Sequence, residues 1–73
     1  MIRYKLNELI SKKSKDENRK ITLSQVAREI GVQRAAMSKM AQNKGYGSTT
    51  KTLNALCVYF DCKIEDLIEF VKE

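Results

Sequence analysis

Gly31 falls between two runs that each carry helical periodicity, and this one residue constrains the fold more than any other in the chain. Upstream, Thr22 stands where an N-cap belongs, its hydroxyl placed to accept from the backbone N–H near Gln25, and Val26, Ala27 and Ile30 form a single apolar stripe. Downstream, Gln33 opens a further helix that runs through about Gln42. Glycine takes the left-handed conformation that ends a helix, and Val32 is apolar enough to tuck beneath the turn, so two short helices joined by three residues make a compact corner.

Projecting the helix after Gly31 at about 100° per residue separates it into two faces. Ala36, Met37, Met40 and Ala41 share one arc, a seam of small and flexible apolar residues. Arg34, Ala35, Ser38, Lys39 and Gln42 share the other, spread over about 140°. Arg and Gln present forked donors that match guanine and adenine edges, Lys supplies phosphate or guanine contacts, and the short Ala35 allows close approach or touches a thymine methyl. A polar helix face is most often simply a solvated one. Here it follows a capped helix and a glycine turn in a basic part of the chain, and that combination favours DNA reading.

The charge is uneven. Residues 1–51 hold twelve Lys and Arg against four acids, whereas residues 52–73 hold Lys63 and Lys72 against Asp61, Glu65, Asp66, Glu69 and Glu73. The net +5 is therefore the difference between a basic segment of +8 and an acidic end of −3. A bias of this kind suits a polyanionic partner, although it serves solubility equally well until a geometric partner is found.

The remaining elements also read as helical, and with only 73 residues the expectation is one domain over 1–73 without room for a large pocket. Leu6, Leu9 and Ile10 give an amphipathic first helix starting near Tyr4, and SKDENRK, residues 14–20, reads as a loop after about residue 15. Within NKGYGSTT, Asn43 can take a left-handed C-cap and Ser48 or Thr49 can cap the fourth helix; Lys44 is placed to grip a phosphate, and Tyr46 either packs on the sugar backbone or covers the core. TLNALCVYF buries Leu53, Leu56, Cys57 and Phe60, and a short fifth segment carries Ile64, Leu67 and Ile68. The fold class is all-α, a five-helix bundle. MIRY and EFVKE alternate enough for short terminal β-strands, pairing either with each other or across a dimer.

Several classes of function are disfavoured. No run of about 18 apolar residues is present and the N-terminus lacks the apolar core of a signal peptide, so a cytoplasmic protein is expected. There is no histidine, and Cys57 and Cys62 lack a second metal-ligand pair, so neither a metal nor a cofactor is expected and the thiols read as reduced, buried and structural, with oxidation between them as the alternative. No nucleophile lies near a plausible base, which argues against an enzyme.

The run ITLSQVAREIGVQRAAMSKMAQNK, with TLNALCVYFDCKIEDLIEFV after it, resembles the Cro/CI-type helix-turn-helix domain of phage repressors and small bacterial regulators. The resemblance covers essentially the whole chain and implies a bundle of about five helices, the helix-turn-helix at approximately 22–42, and symmetric dimers on operator half-sites about one DNA turn apart. It matches Gln33, Arg34, Ala35, Ser38 and Lys39 to positions facing bases or nearby phosphates, and Gln42 and Lys44 to backbone-contacting positions. Leu23 stands where the family often has a phosphate-holding Gln, so Thr22, Ser24 or backbone amides are the substitutes. Asn43 replaces the usual glycine. The connection from the first helix to the second is longer than usual, and its Lys15, Arg19 and Lys20 are read as solvated rather than as DNA contacts. The function implied is sequence-specific operator binding by a transcriptional regulator, expected to act as a repressor; the alternative is an antitoxin-like module that also binds a protein partner through its acidic end or Phe70 and Val71.

Overall fold

The computed structural model describes residues 1–43 and 47–72. In chain order the elements are β1 (Ile2–Tyr4), α1 (Leu6–Asp16), α2 (Leu23–Ile30), α3 (Arg34–Gln42), α4 (Thr50–Phe60), α5 (Ile64–Leu67) and β2 (Ile68–Phe70). The five expected helices are present, and the two terminal strands pair with each other. They run antiparallel, with Ile2 opposite Phe70, Arg3 opposite Glu69 and Tyr4 opposite Ile68.

The core is small and mostly aliphatic or sulfur-containing. Leu6, Val26, Met37, Met40, Leu56 and Leu67 are fully buried, one or two from each helix, and each such burial stabilises the fold by about 1.5–3 kcal/mol. Of the expected α4 core only Leu56 is fully enclosed; Leu53, Cys57 and Phe60 pack against the cluster while remaining partly exposed. The two methionines form the α3 seam, where flexible thioethers fill the space under the helix.

Local chemistry sets the helix ends. Thr22 accepts from the Gln25 N–H at 3.2 Å, Thr49 accepts from the Thr52 N–H at 3.2 Å, and Asp66 Oδ2 accepts from the Lys63 N–H at 3.1 Å. Gly31 closes α2 at φ +76°, the left-handed conformation its position requires. Thr49, rather than Ser48, is the α4 cap, and α4 accordingly begins at Thr50, two residues before TLNALCVYF.

Tyr4 follows the strand reading of MIRY rather than the helical one. The apolar periodicity suggests a helix from near Tyr4, but Tyr4 ends β1 and α1 begins at Leu6. The cause is tertiary. The Asn43 side-chain amide takes both main-chain groups of Tyr4, accepting from its N–H at 2.6 Å and donating to its C=O at 3.1 Å, while the Lys5 N–H donates to the Leu67 C=O at 2.7 Å. The Tyr4 C=O, which would accept the first bond of a helix starting there, is already taken, and the two N–H groups fix the chain to partners outside α1. Asn43 itself is left-handed at φ +56° and caps α3 with its own N–H on the Lys39 and Met40 carbonyls.

The α1–α2 connection is a turn after Asp16 and is well tied. Ser14 Oγ accepts from the Ile21 N–H at 3.1 Å, and Asn18 takes the left-handed conformation at φ +51°. Glu17 bonds Lys13 at 2.7 Å and Arg19 at 2.8 Å, and these two cations hold its carboxyl below the usual range, Lys13 contributing most.

The double role of Asn43 makes two substitutions separable. Asn43→Gly keeps the left-handed cap and removes the two amide bonds, an expected loss of about 1–3 kcal/mol. Asn43→Ala is expected to lose about 1 kcal/mol more, because alanine resists the left-handed conformation. Urea denaturation of both variants checks this; equal stability in the two would show that the backbone conformation contributes nothing.

Candidate nucleic-acid interface

α2 and α3 meet at the Gly31 corner, with Val32 half-buried beneath it and its N–H on the Ala27 C=O at 2.9 Å. Gln33 is the N-cap of α3 in an extended conformation, so it lies at the lip of the helix rather than within it. Met37, Met40 and Ala41 face inward and Ala36 is half-buried, which fixes the rotation of α3 about its axis. That rotation leaves Gln33, Arg34, Ala35, Lys39 and Gln42 exposed together, with Ser38 half-buried among them. Gln42 Nε2 donates to Ser38 Oγ at 3.2 Å, one helical turn back.

Arg34 is oriented as well as exposed. Its Nε donates to Ser24 Oγ at 2.5 Å, a bond from the start of α3 to the first turn of α2. The contact engages Nε and leaves the two terminal guanidinium nitrogens outside it, directed from a side chain that has lost part of its rotamer freedom. Thr22 and Ser24 both lie at the N-terminal turn of α2, and Ser24 meets Arg34. Thr22 uses its oxygen as the helix cap, and its hydroxyl hydrogen is still available to donate to a phosphate.

The other sequence candidates divide differently. Lys15 and Lys20 are exposed, and Arg19 is bonded to Glu17 at 2.8 Å. Lys44 and Tyr46 lie outside the described residues. Two features escape a reading of the sequence, the Ser24–Arg34 bond and the Asn43–Tyr4 clamp. Ser24 and Arg34 are ten residues apart across a turn, so no periodicity links them, and a polar residue in the first turn of α2 is the sole signal.

The fold, the α2–Gly31–α3 corner and the exposed polar face converge with comparison to known proteins. A family model described as a Cro/C1-type HTH DNA-binding domain matches residues 17–73. The chain belongs to that family. A search of curated proteins finds no match. The match begins within the α1–α2 turn and covers the helix-turn-helix of this Cro/C1-type domain together with α4, α5 and β2. Among the described residues no helix is long and apolar enough to cross a membrane.

Away from this face, Cys62 lines a cleft with Lys5, Glu8, Lys12 and Asp66. Both cysteines are free and half-buried, rather than fully buried as the sequence suggested, because α4 presents its C-terminal turn at the edge of the core. Desolvation, with a smaller contribution from neighbouring Cys57, pushes the Cys62 thiol up to about 11. A thiol in that state is a poor nucleophile near neutral pH.

This geometry makes two outcomes testable. Ser24→Ala should leave folding nearly unchanged and weaken specific DNA binding by roughly 2–10-fold, the cost of ordering a freed arginine. Fluorescence anisotropy on a selected site measures it, and unchanged affinity would remove Ser24 as a positioning residue. Cys62 should react with a disulfide reagent at pH 8 roughly tenfold or more slower than an ordinary thiol, and labelling of Cys62 at the free-thiol rate would contradict its burial.

Proposed function

We propose that this protein is a sequence-specific double-stranded DNA-binding regulator of transcription, acting as a repressor by occupying an operator, with α3 inserted in the major groove. The observation that carries the reading is the α3 face itself, exposed at Arg34, Ala35, Lys39 and Gln42 and held in rotation by the buried Met37 and Met40. A helix seated this firmly presents side chains at set spacing, which direct readout requires.

In this reading Gln33, Arg34, Ala35, Ser38 and Lys39 face base edges, with Arg34 braced by Ser24 for bidentate contact to guanine. Thr22, Ser24, Gln42, Lys44 and Tyr46 face the sugar-phosphate backbone and set the register. Affinity comes mainly from phosphate neutralisation by the basic segment, so it falls steeply with salt. The 73 residues act as one domain and bind as a homodimer on two half-sites. Its place of action is the cytoplasm, with the operator. No step of this function requires a cofactor or catalysis.

A second reading, a module that binds a protein partner in addition to DNA, draws on one observation. Phe70 and Val71 are 72% and 39% exposed at the C-terminal end. Co-purification of a stoichiometric second chain would favour it.

Selection from random-sequence DNA and then competition binding tests the main reading. A palindromic consensus is expected, and no enrichment would sink the proposal. Arg34→Ala should lose roughly 1–3 kcal/mol on the selected site and relax selectivity at one base pair, whereas Lys44→Ala should weaken all sequences alike and flatten the salt dependence. Unchanged affinity and selectivity in Arg34→Ala would take Arg34 out of the readout.

A further inference from the structure

The bond pair between Asn43 and Tyr4 has the form of a strand pairing made by a side chain. The planar amide accepts from the Tyr4 N–H at 2.6 Å and donates to the Tyr4 C=O at 3.1 Å, so Tyr4 exchanges both main-chain bonds with it, as paired residues of an antiparallel ladder do. A single bond would leave the amide free to swivel. Two bonds to one residue fix both its distance and its plane. Asn43 follows directly on Gln42, the last residue of α3, and its own N–H closes that helix on the Lys39 and Met40 carbonyls. A second polar contact on the same turn, from Asn7 Nδ2 to the Ala41 C=O, measures 3.5 Å and is too long to hold the helix end as firmly.

We propose that Asn43 is a positioning residue for DNA recognition, setting the tilt of α3 by fastening its far end to the terminal sheet. Its use rests on the operator-binding reading, while the clamp itself rests on the geometry of the chain. At 1.5 Å per residue, the nine residues of α3 make a lever of about 13 Å that pivots at the Gly31 corner. A tilt of about 5° there carries Gln42 by about 1 Å, twice the tolerance of about 0.5 Å within which a binding group must be held.

The buried Met37 and Met40 fix rotation about the helix axis, yet flexible thioethers yield to a small tilt. The Asn43 amide resists that motion where the lever is longest. Specific affinity depends on this placement, because hydrogen bonds to base edges are short and directional. Non-specific affinity does not, because it follows phosphate neutralisation and Asn43 carries no charge. The coupling is reciprocal: a clamp that favours the operator-bound form is itself favoured by the operator. A duplex on α3 is therefore felt at Tyr4, on the terminal sheet.

Binding to a selected site and to an unrelated duplex, under conditions where each variant is fully folded, tests the proposal. Asn43→Gly keeps the left-handed cap and deletes the amide; it should lose roughly 3–10-fold on the selected site and keep wild-type affinity and salt dependence on the unrelated duplex. Phe60→Ala, made at the end of α4 as a control for lost stability, should keep the wild-type ratio of the two affinities. In the wild type, the selected site should slow hydrogen exchange at the Tyr4 amide more than the unrelated duplex does. A loss of discrimination shared by Phe60→Ala assigns the effect to stability and overturns the proposal. An equal loss on both duplexes makes Asn43 a direct backbone contact and also overturns it, as does unchanged affinity on the selected site. Should the wild type prefer no sequence, the operator reading fails, and hydrogen exchange without DNA decides the clamp on its own. Amides of residues 39–42 that exchange about tenfold faster, relative to Val26 and Ala27, in Asn43→Gly than in Phe60→Ala support the positioning of α3 and remove only its use on an operator. The same relative exchange in the two variants overturns it.

Discussion

The Asn43 side chain joins the two parts of this molecule that matter most to each other. Its left-handed backbone stops α3, and its amide bonds both main-chain groups of Tyr4 on β1. A glycine would supply the stop without the bond, and alanine would supply neither at low cost. The C-terminal end of α3 is thereby fastened to the terminal sheet, which in turn is closed onto α1 through the Lys5 bond to Leu67. The helix that faces outward is held at its far end by the element nearest the chain termini.

At its near end α3 is held by packing and by one polar contact. Met37 and Met40 are fully buried, so the helix cannot rotate without exposing two large side chains, each worth about 1.5–3 kcal/mol of transfer free energy. Ser24 then reaches from α2 to Arg34. The apolar seam sets the direction of the whole helix face, and the hydroxyl sets the direction of a single side chain. This division suits a protein whose task is to match a rigid surface, because the conformational cost of binding is met largely in folding.

The charge distribution reinforces the same polarity. The helix-turn-helix lies within the basic segment, and the strand that bears Phe70 lies within the acidic one. Within the connection after α1, Glu17 draws Lys13 and Arg19 into local bonds, which removes Arg19 from the set of free cations. Basic composition alone therefore overstates the positive surface available to a polyanion.

Much of the architecture was legible because it depends on local rules. Thr22, Gly31 and Asn43 bound the two central helices through capping chemistry that acts over three or four residues, and the split of α3 into a methionine seam and a polar face comes from its 3.6-residue period. Which partner the terminal strands take, the start of α1 and the brace on Arg34 were not legible in that way. Tyr4 continues an apolar pattern that suits a helix, and becomes a strand because Asn43, 39 residues later, takes its hydrogen bonds. The sequence by itself determined the helices, the ends that Thr22, Gly31 and Asn43 set, and the face that points outward, since each is decided by neighbours along the chain. The tertiary structure alone decided which strands pair, which helix start is displaced and which serine holds the arginine, since those depend on partners that only folding brings together.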